Sequence, residues 1–348
     1  MEKSKKDIRD FDENQLRELV KEYKQPAFRG SQIFEWLWKK SVSNFLEMTN
    51  LSIEFRKQLE QDFTINSITE DKTQISSDGT IKSRYKLHDG HMIESVLIPV
   101  EDDNRFTVCV SSQVGCSLTC SFCATGKMKR VRNLEAGEIY DQVAKVNTQC
   151  LVHYEKNLTN IVFMGMGEPL LAYKNVLKSI EMISSEKGLG MSPRRITVST
   201  AGIAKMIIKL ADDDVKFNLA LSLHAADDAK RDKIMPINEQ NNLSVLMDAL
   251  RYFYAKTHNK ISYEYIIFKD FNDTIEDARN LVKLCKSFPV KVNIIEYNQV
   301  EGVPYTKSEM EKVDAFAAYL RSNDVMVTVR RSRGEDIDAA CGQLANKG

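Results

Sequence analysis

The sequence predicts an α/β protein: a partial parallel barrel of six β/α units, preceded by a small helical domain and a linking β-meander. Three observations predict it. From Phe106 onward, strand-like apolar runs alternate with amphipathic stretches. The first sixty or so residues instead carry the 3.6-residue spacing of helices. Between them lie two Asp-Gly pairs, each flanked by strand-like runs, which is a hairpin signal. The expected divisions are 1–68 for the helical accessory domain, 69–104 for the meander and 105–348 for the barrel with a C-terminal loop.

The elements follow in order. Leu16, Leu19, Val20 and Tyr23 fall on one helical face. RGSQIFEWLW holds both tryptophans, Trp36 and Trp38, and Phe55, Leu59 and Phe63 recur at four-residue spacing. These aromatics read as a small helical core rather than as a stacking platform for bases. SSDGT and LHDGH mark the meander's turns, because Gly accepts the positive φ of a tight turn. FTVCVSS, NIVFMGM, RITVSTA, FNLALSLH, ISYEYIIF and VKVNIIEYN read as the six buried strands. VMVTVRRS is a final strand, followed by the tail GEDIDAACGQLANKG. Ile139, Val143, Val146 and Cys150 make one buried helix face, and Cys285 lies on another.

Composition excludes several classes. The chain has 348 residues, and no apolar run reaches membrane-spanning length. Its first residues are charged and lack the apolar core of a signal peptide, so the expected location is the cytoplasm. Seven cysteines, an odd number, argue against a full disulfide framework. Lys plus Arg equals Asp plus Glu at 49 each, so any nucleic-acid binding must come from a local patch.

Three of the cysteines crowd into CSLTCSFCATG, as Cys116, Cys120 and Cys123. Three readings compete. Buried structural thiols do not suit a polar loop holding Gly and Ser. A zinc site needs a fourth ligand, from Cys109 or a histidine. A cubane iron–sulfur cluster held by three thiolates leaves one iron open. The loop follows the first strand, and parallel β/α architectures gather their chemistry at strand C-terminal ends. Spacing and placement together favour the cluster.

CVSSQVGCSLTCSFCATGK, FMGMGEPLLAY, SPRRITVSTAG, SLHAADD, YNQVEGVPY and GEDIDAACGQL, in this order, resemble the radical S-adenosylmethionine (SAM) enzymes, and within them the RlmN family of RNA adenosine C2-methyltransferases. RGSQIFEWLW resembles that family's helical accessory, RNA-binding domain. Where the family usually continues CATGK with a Gln-Gly-Phe-like stretch, this chain has Lys127, Met128, Lys129 and Arg130. A sister family methylates C8 and carries Ala where this chain has Pro169, which favours C2.

The resemblance implies a radical-SAM partial barrel with a 4Fe-4S cluster on Cys116, Cys120 and Cys123, and SAM bound by Gly167, Glu168, Ser199, Ser222, Leu223, His224 and Asn298. It implies that two SAM molecules serve each turnover. One methylates Cys341; the other yields the 5′-deoxyadenosyl radical that removes hydrogen from that methyl group. The resulting methylene radical adds to C2. Cys109 then attacks the Cys341 sulfur and leaves a Cys109–Cys341 disulfide, with Glu94 aligned to the family's proton acceptor. The implied partners are ribosomal or transfer RNA and an electron donor such as flavodoxin or ferredoxin with its reductase. The expected protein is a monomer with no membrane partner. KMKRVR, SPRR and VRRSR are expected to form a phosphate-binding rim. The reading from a different class is a zinc-stabilised RNA-binding protein without catalysis.

Overall fold

The computed structural model describes residues 5–347; the first four residues of the charged N-terminal stretch, and Gly348, lie outside the described residues. The helical domain consists of α1 (Glu13–Glu22), α2 (Phe28–Trp38) and α3 (Ile53–Asp62). Asp12 starts α1 by a reciprocal cap: its carboxylate accepts the Gln15 N–H, while Gln15 Oε1 accepts the Asp12 N–H. Leu16 and Val20 are buried, and Leu19 and Tyr23 pack at the edge of the same core. Phe55 and Leu59 are buried along α3, but Phe63 ends that helix rather than extending it. Phe63 and Thr64 instead pair in parallel with Lys6 and Asp7. Trp38 is buried, whereas Trp36 is half-buried, with Lys40 lying 3.6 Å over its ring.

The remaining chain forms one 10-stranded sheet whose spatial order follows the sequence order. The meander supplies β1 (Thr69–Ile75), β2 (Ile81–Lys86) and β3 (Met92–Val100), all antiparallel. Its hairpin glycines, Gly79 and Gly90, have φ of 83° and 85°, as tight turns require. β3 then pairs antiparallel with β4 (Arg105–Cys109). From there the sheet is parallel through β5 (Asn160–Phe163), β6 (Ile196–Thr200), β7 (Asn218–Ser222), β8 (Ile261–Ile267), β9 (Val290–Glu296) and β10 (Met326–Arg330). Six β/α units and a final strand are therefore present. The crossovers are α4 (Ala136–Tyr154), α5 (Tyr173–Ser184), α6 (Ala204–Asp212), the pair α7 (Asp228–Ile234) and α8 (Leu243–Thr257), α9 (Ile275–Cys285) and α10 (Met310–Ser322). The α4 face reads as expected, with Ile139, Val143, Val146 and Cys150 fully buried. Cys285 packs half-buried against the core. The meander is part of the barrel's own sheet rather than a separate connector.

The helical domain is tied to the barrel by a buried charge cluster. The Arg9 guanidinium donates to both Asp141 oxygens at 3.0 Å, and Asp7 accepts from it on the other side. Gly137 permits this approach, because a β-carbon there would overlap the guanidinium. Trp38 packs edge-on against Tyr140 of α4, with centroids 5.0 Å apart, and the Tyr140 hydroxyl donates to the Trp38 carbonyl. Removing one partner of a buried, hydrogen-bonded cluster is costly, and without Asp141 the Arg9 guanidinium keeps only Asp7. Asp141→Ala is therefore expected to lower stability by about 3 kcal/mol. The check is urea unfolding, with Asp141→Asn expected to lose less because it still accepts from the Ile68 N–H.

Candidate active site

The strand C-terminal ends converge on one cavity. Its wall includes Cys116, Cys120, Cys123, Gly167, Glu168, Ser199, Ser222, His224 and Cys341. Nine of the residues singled out by sequence thus meet at one place. Leu223, Asn298, Cys109 and Glu94 are not on that wall, and each is buried.

The cluster loop is held from three sides. The Ser121 N–H donates to the Ile234 carbonyl at the end of α7. The Ser121 hydroxyl meets the Tyr305 hydroxyl at 3.1 Å. The Ala124 N–H donates to the Gly342 carbonyl at 2.8 Å, and the Thr125 hydroxyl to the Leu344 carbonyl at 2.6 Å. The cysteine-bearing loop and the C-terminal tail are therefore bonded directly to each other. Burial pushes all three loop thiols up, Cys116 to about 11. Among the described residues no three His, Cys, Asp or Glu side chains converge tightly enough to hold a single metal ion. A cubane takes each thiolate on a separate iron, and three thiols lining one cavity fit a cluster with one iron left open.

The opposite wall is built from strand ends. Gly167 has φ of 97°, and a β-carbon there would overlap the Gln113 side chain. Gln113 in turn accepts the Glu168 N–H. Glu168 takes the N–H groups of Leu170 and Ala201 at 3.1 and 2.8 Å, and burial pushes its carboxyl up to about 7. This buried acid, with backbone donors but no cation, suits the ammonium of an amino-acid-like ligand. Ser199 and Ser222 face each other at 3.2 Å between their hydroxyl oxygens. His224 has φ of 55°, and its Nδ1 accepts the Ile266 N–H at 3.0 Å. Burial and the Arg231 charge lower its pKa to about 3, so it is neutral near pH 7. Leu223 contributes its backbone, accepting from Arg231. Asn298 lies behind Cys341 with its amide 3.5 Å from that residue's carbonyl, and its Oδ1 is buried without a partner.

Cys341 is exposed toward the cavity, and the surrounding protein raises its thiol pKa. Cys109 is buried at the end of β4, and burial, with the nearby Cys341, drives its thiol well up. Both are free thiols, not the disulfide that the resemblance implies. Both are protonated near neutral pH, and closing the bond from protonated thiols needs an oxidant.

Several site features were missed in the sequence. Glu264 lines the cavity from β8, accepting from Ser262 and Asn293 at 2.8 Å and pairing with Arg330 at 3.3 Å. A charged residue inside the apolar run ISYEYIIF was the available signal. Arg231 is fully buried, and its guanidinium donates to the carbonyls of Leu223, Ala201 and Ser222 and to Asn238. It holds the ends of β6 and β7 together.

The basic rim needs correcting. SPRR precedes β6, so Arg194 and Arg195 lie at the opposite end of the barrel from the cavity. Arg132 is a structural residue: it clamps the buried Glu138 through two bonds at 2.7 and 2.8 Å and Asp89 at 2.6 Å. Arg331 is paired with Glu296. Lys127, which donates to the carbonyls of Glu301 and Gly302, Lys129 and Arg130 are exposed beside the cluster loop. Arg132→Ala should consequently destabilise the fold by about 2–4 kcal/mol, because the buried Glu138 is left with only His88 and the Glu135 N–H. Arg130→Ala should leave the thermal midpoint unchanged, and thermal unfolding of the two variants separates the roles.

Comparison with known proteins agrees with this geometry. The model of the ribosomal RNA large subunit methyltransferase N-terminal domain matches residues 6–65, and that of the radical SAM superfamily matches residues 110–285. A probable dual-specificity RNA methyltransferase RlmN of Flavobacterium psychrophilum is 53% identical, covering 100% of this chain and 99% of the relative. The dual-specificity RNA methyltransferase RlmN of Campylobacter fetus is 42% identical, covering 98% of each. The crystal structure of a radical SAM methyltransferase from Sphaerobacter thermophilus superposes with a TM-score of 0.92 at 36% identity, over 98% of this chain and 100% of that one. The family works with a 4Fe-4S cluster and SAM, for which the three-thiol wall and the buried Glu168 provide fitting partners. The chain belongs to the RlmN family of radical SAM RNA methyltransferases.

Proposed function

We propose that this enzyme methylates C2 of adenosine in ribosomal RNA, transfer RNA or both, through a methyl group carried on Cys341, with two SAM molecules per turnover. The observation that carries this reading is that Cys341 stands on the same cavity wall as Cys116, Cys120 and Cys123, with Cys109 beside it. C2 lies between two ring nitrogens and is electron-poor, so it does not attack a sulfonium methyl directly. Cys116, Cys120 and Cys123 would hold a cluster, which when bound would supply the reducing electron for radical chemistry on SAM.

The chain's own residues do the rest. Glu168 takes the SAM ammonium while Gly167 lets the ligand approach the backbone. Ser199, Ser222 and the Leu223 backbone line its bed, neutral His224 offers no competing cation, and Asn298 steadies the Cys341 backbone. Cys341 gives up its proton, accepts a methyl group and presents it to the radical. After the carbon joins C2, the adduct gives up the C2 proton and its one unpaired electron, the electron returning to the redox chain that supplied it, and Cys109 then attacks the Cys341 sulfur. The sulfur–sulfur bond forms as the sulfur–carbon bond breaks, and the carbon keeps the electron pair and takes up a proton. A flavodoxin or ferredoxin with its reductase is the natural electron source, and we assign the enzyme to the cytoplasm as a monomer. Pro169 supports C2 over the C8 reaction of the sister family.

The decisive experiment is mass spectrometry of RNA after anaerobic reaction with reductant and methyl-labelled SAM. C2-methyladenosine is expected; C8 label would move the protein to the sister reaction. A colourless protein with one zinc and no labelled RNA would leave only the binding-module reading.

Replacing Cys116, Cys120 and Cys123 together by Ala should abolish iron binding and deoxyadenosine formation, and full iron loading of that variant would refute the ligand set. The other two cysteines should fail differently. Cys341→Ala should lose methylation without ever attaching to RNA. Cys109→Ala should stall as protein joined to RNA, seen as a slow band on a denaturing gel. Loss of activity with no adduct in either variant would end the proposed division of labour.

SAM binding should also depend on pH. Glu168 has its carboxyl raised to about 7 when free, and an ammonium favours its ionised form. Below that pH binding must expel a proton, so affinity should fall toward about tenfold per unit. Titration calorimetry between mildly acidic and alkaline pH should show this slope, and Glu168→Gln should flatten it.

A further inference from the structure

Behind the cavity wall lies a cation whose only task so far is to brace two strand ends. Arg231, on α7, is fully buried. Its Nη2 donates to the Ala201 carbonyl at 2.6 Å and the Ser222 carbonyl at 3.3 Å. Its Nε donates to the Leu223 carbonyl at 3.2 Å, and its Nη1 to Asn238 Oδ1 at 2.6 Å. All four acceptors are neutral. Asn238 passes the contact outward, its Nδ2 donating to Asp232 at 2.7 Å and Asp228 at 2.9 Å, and both acids belong to exposed residues. The guanidinium thus meets these carboxylates only at one remove, on the solvent side. On the other side it stands close behind Cys120. Ala201, Ser222 and Met235, the residue after α7, share the cavity wall with that cysteine. The Ser121 N–H donates to the Ile234 carbonyl of α7 at 3.0 Å. The Arg231 charge favours the Cys120 thiolate, and the thiolate in turn favours the cation.

We propose that Arg231 sets the redox poise of the cluster, its buried positive charge making the cluster easier to reduce. The proposal rests on the reading of Cys116, Cys120 and Cys123 as the cluster ligands. Bracing two strand ends calls for hydrogen-bond donors but not for a charge, and burying a charge without a directly bonded counter-ion is costly. Burial lowers the Arg231 pKa to about 10, which still leaves it protonated near neutral pH. Carbonyl dipoles steady the cation without cancelling its charge. Three thiolates bring negative charge to the wall before it, and one electron from a low-potential donor adds a further negative charge there. A cation fixed in this dry layer stabilises the more negative state. Net charge and burial around a cluster are among the factors that set its potential, and a buried charge acts strongly because the surrounding dielectric is low. Arg231 acts through the cluster's surroundings and touches no reacting atom, so it is a positioning residue for charge.

The test uses iron-loaded holoenzyme without SAM, titrated anaerobically with dithionite and redox mediators at mildly alkaline pH. The readouts are the electron paramagnetic resonance signal of the reduced cluster and the iron content. Arg231→Met should lower the ratio of reduced to oxidised cluster at a fixed potential by about tenfold, the equivalent of about 59 mV for one electron. Arg231→Lys keeps the charge while losing the planar fork, and should stay within about twofold of the wild-type ratio. A purely structural role would move both variants alike or neither. The Arg231→Met shift should persist at high salt, because buried charges are screened little. Asp232→Asn, at an exposed position, removes an anion from the solvent side of the guanidinium and should raise the ratio by about twofold at low salt. It keeps the test available if the buried variants do not take up iron. A wild-type potential in iron-loaded Arg231→Met would overturn the proposal. So would a fall in Arg231→Lys as large as in Arg231→Met, or an unmoved Asp232→Asn. Iron and the reduced-cluster signal surviving in the triple Ala variant of Cys116, Cys120 and Cys123 would refute the ligand reading instead, whereas the potentials judge Arg231 by themselves.

Discussion

Parallel strands joined by helical crossovers deliver all their C-terminal loops to one rim, and every chemical group of this protein depends on that constraint. Cys109 ends β4, GMGEP follows β5, Ser199 lies at the end of β6, Ser222 closes β7, and Asn298 follows β9. They are nearly two hundred residues apart in the chain, yet the register of the sheet sets them side by side. Ser222 is the cross-strand neighbour of Glu264, and Glu264 of Asn293, so a polar layer crosses the barrel mouth above an apolar interior.

That polar layer lies in a dry environment, which decides how its charges behave. Glu168 has neutral donors and no cation, so desolvation raises it toward neutrality. His224 is held neutral by the same burial and by the Arg231 cation. Arg231, fully buried, keeps its charge by donating to carbonyls and an amide. Each group is thereby set for a task that the surrounding protein, more than the residue type, defines: an acid ready for an ammonium, an imidazole that adds no charge, a cation that ties two strand ends together.

The two segments flanking the barrel sequence act on the site in different ways. The helical domain docks on the first turns of α4, through Arg9, Asp141 and the Trp38–Tyr140 contact. The meander extends the sheet past β4 and meets the chain's last residues. The tail is consequently held between β2–β3 on one side and the cysteine-bearing loop on the other, which brings Cys341 to Cys116, Cys120 and Cys123.

By itself the sequence determined the element order, the helical first sixty residues, the hairpin glycines, the six β/α units, and the cavity thiols with most of their partners. These follow from periodicity, turn chemistry and close local spacing, which the backbone reads over a few residues. Cys116, Cys120 and Cys123 were legible because they sit within eight positions of one another. Only the tertiary structure decided what depends on distant contacts. It made Arg132 a clamp on Glu138, put Arg194 and Arg195 at the far end of the barrel, and brought Glu264 and Arg231 into the site. It also showed that Glu94, which the resemblance aligns with the family's proton acceptor, accepts the N–H groups of Ala345 and Asn346 in the C-terminal tail. A charge takes its meaning from what is buried with it, and partners some two hundred and fifty residues apart in sequence meet only when the sheet is complete.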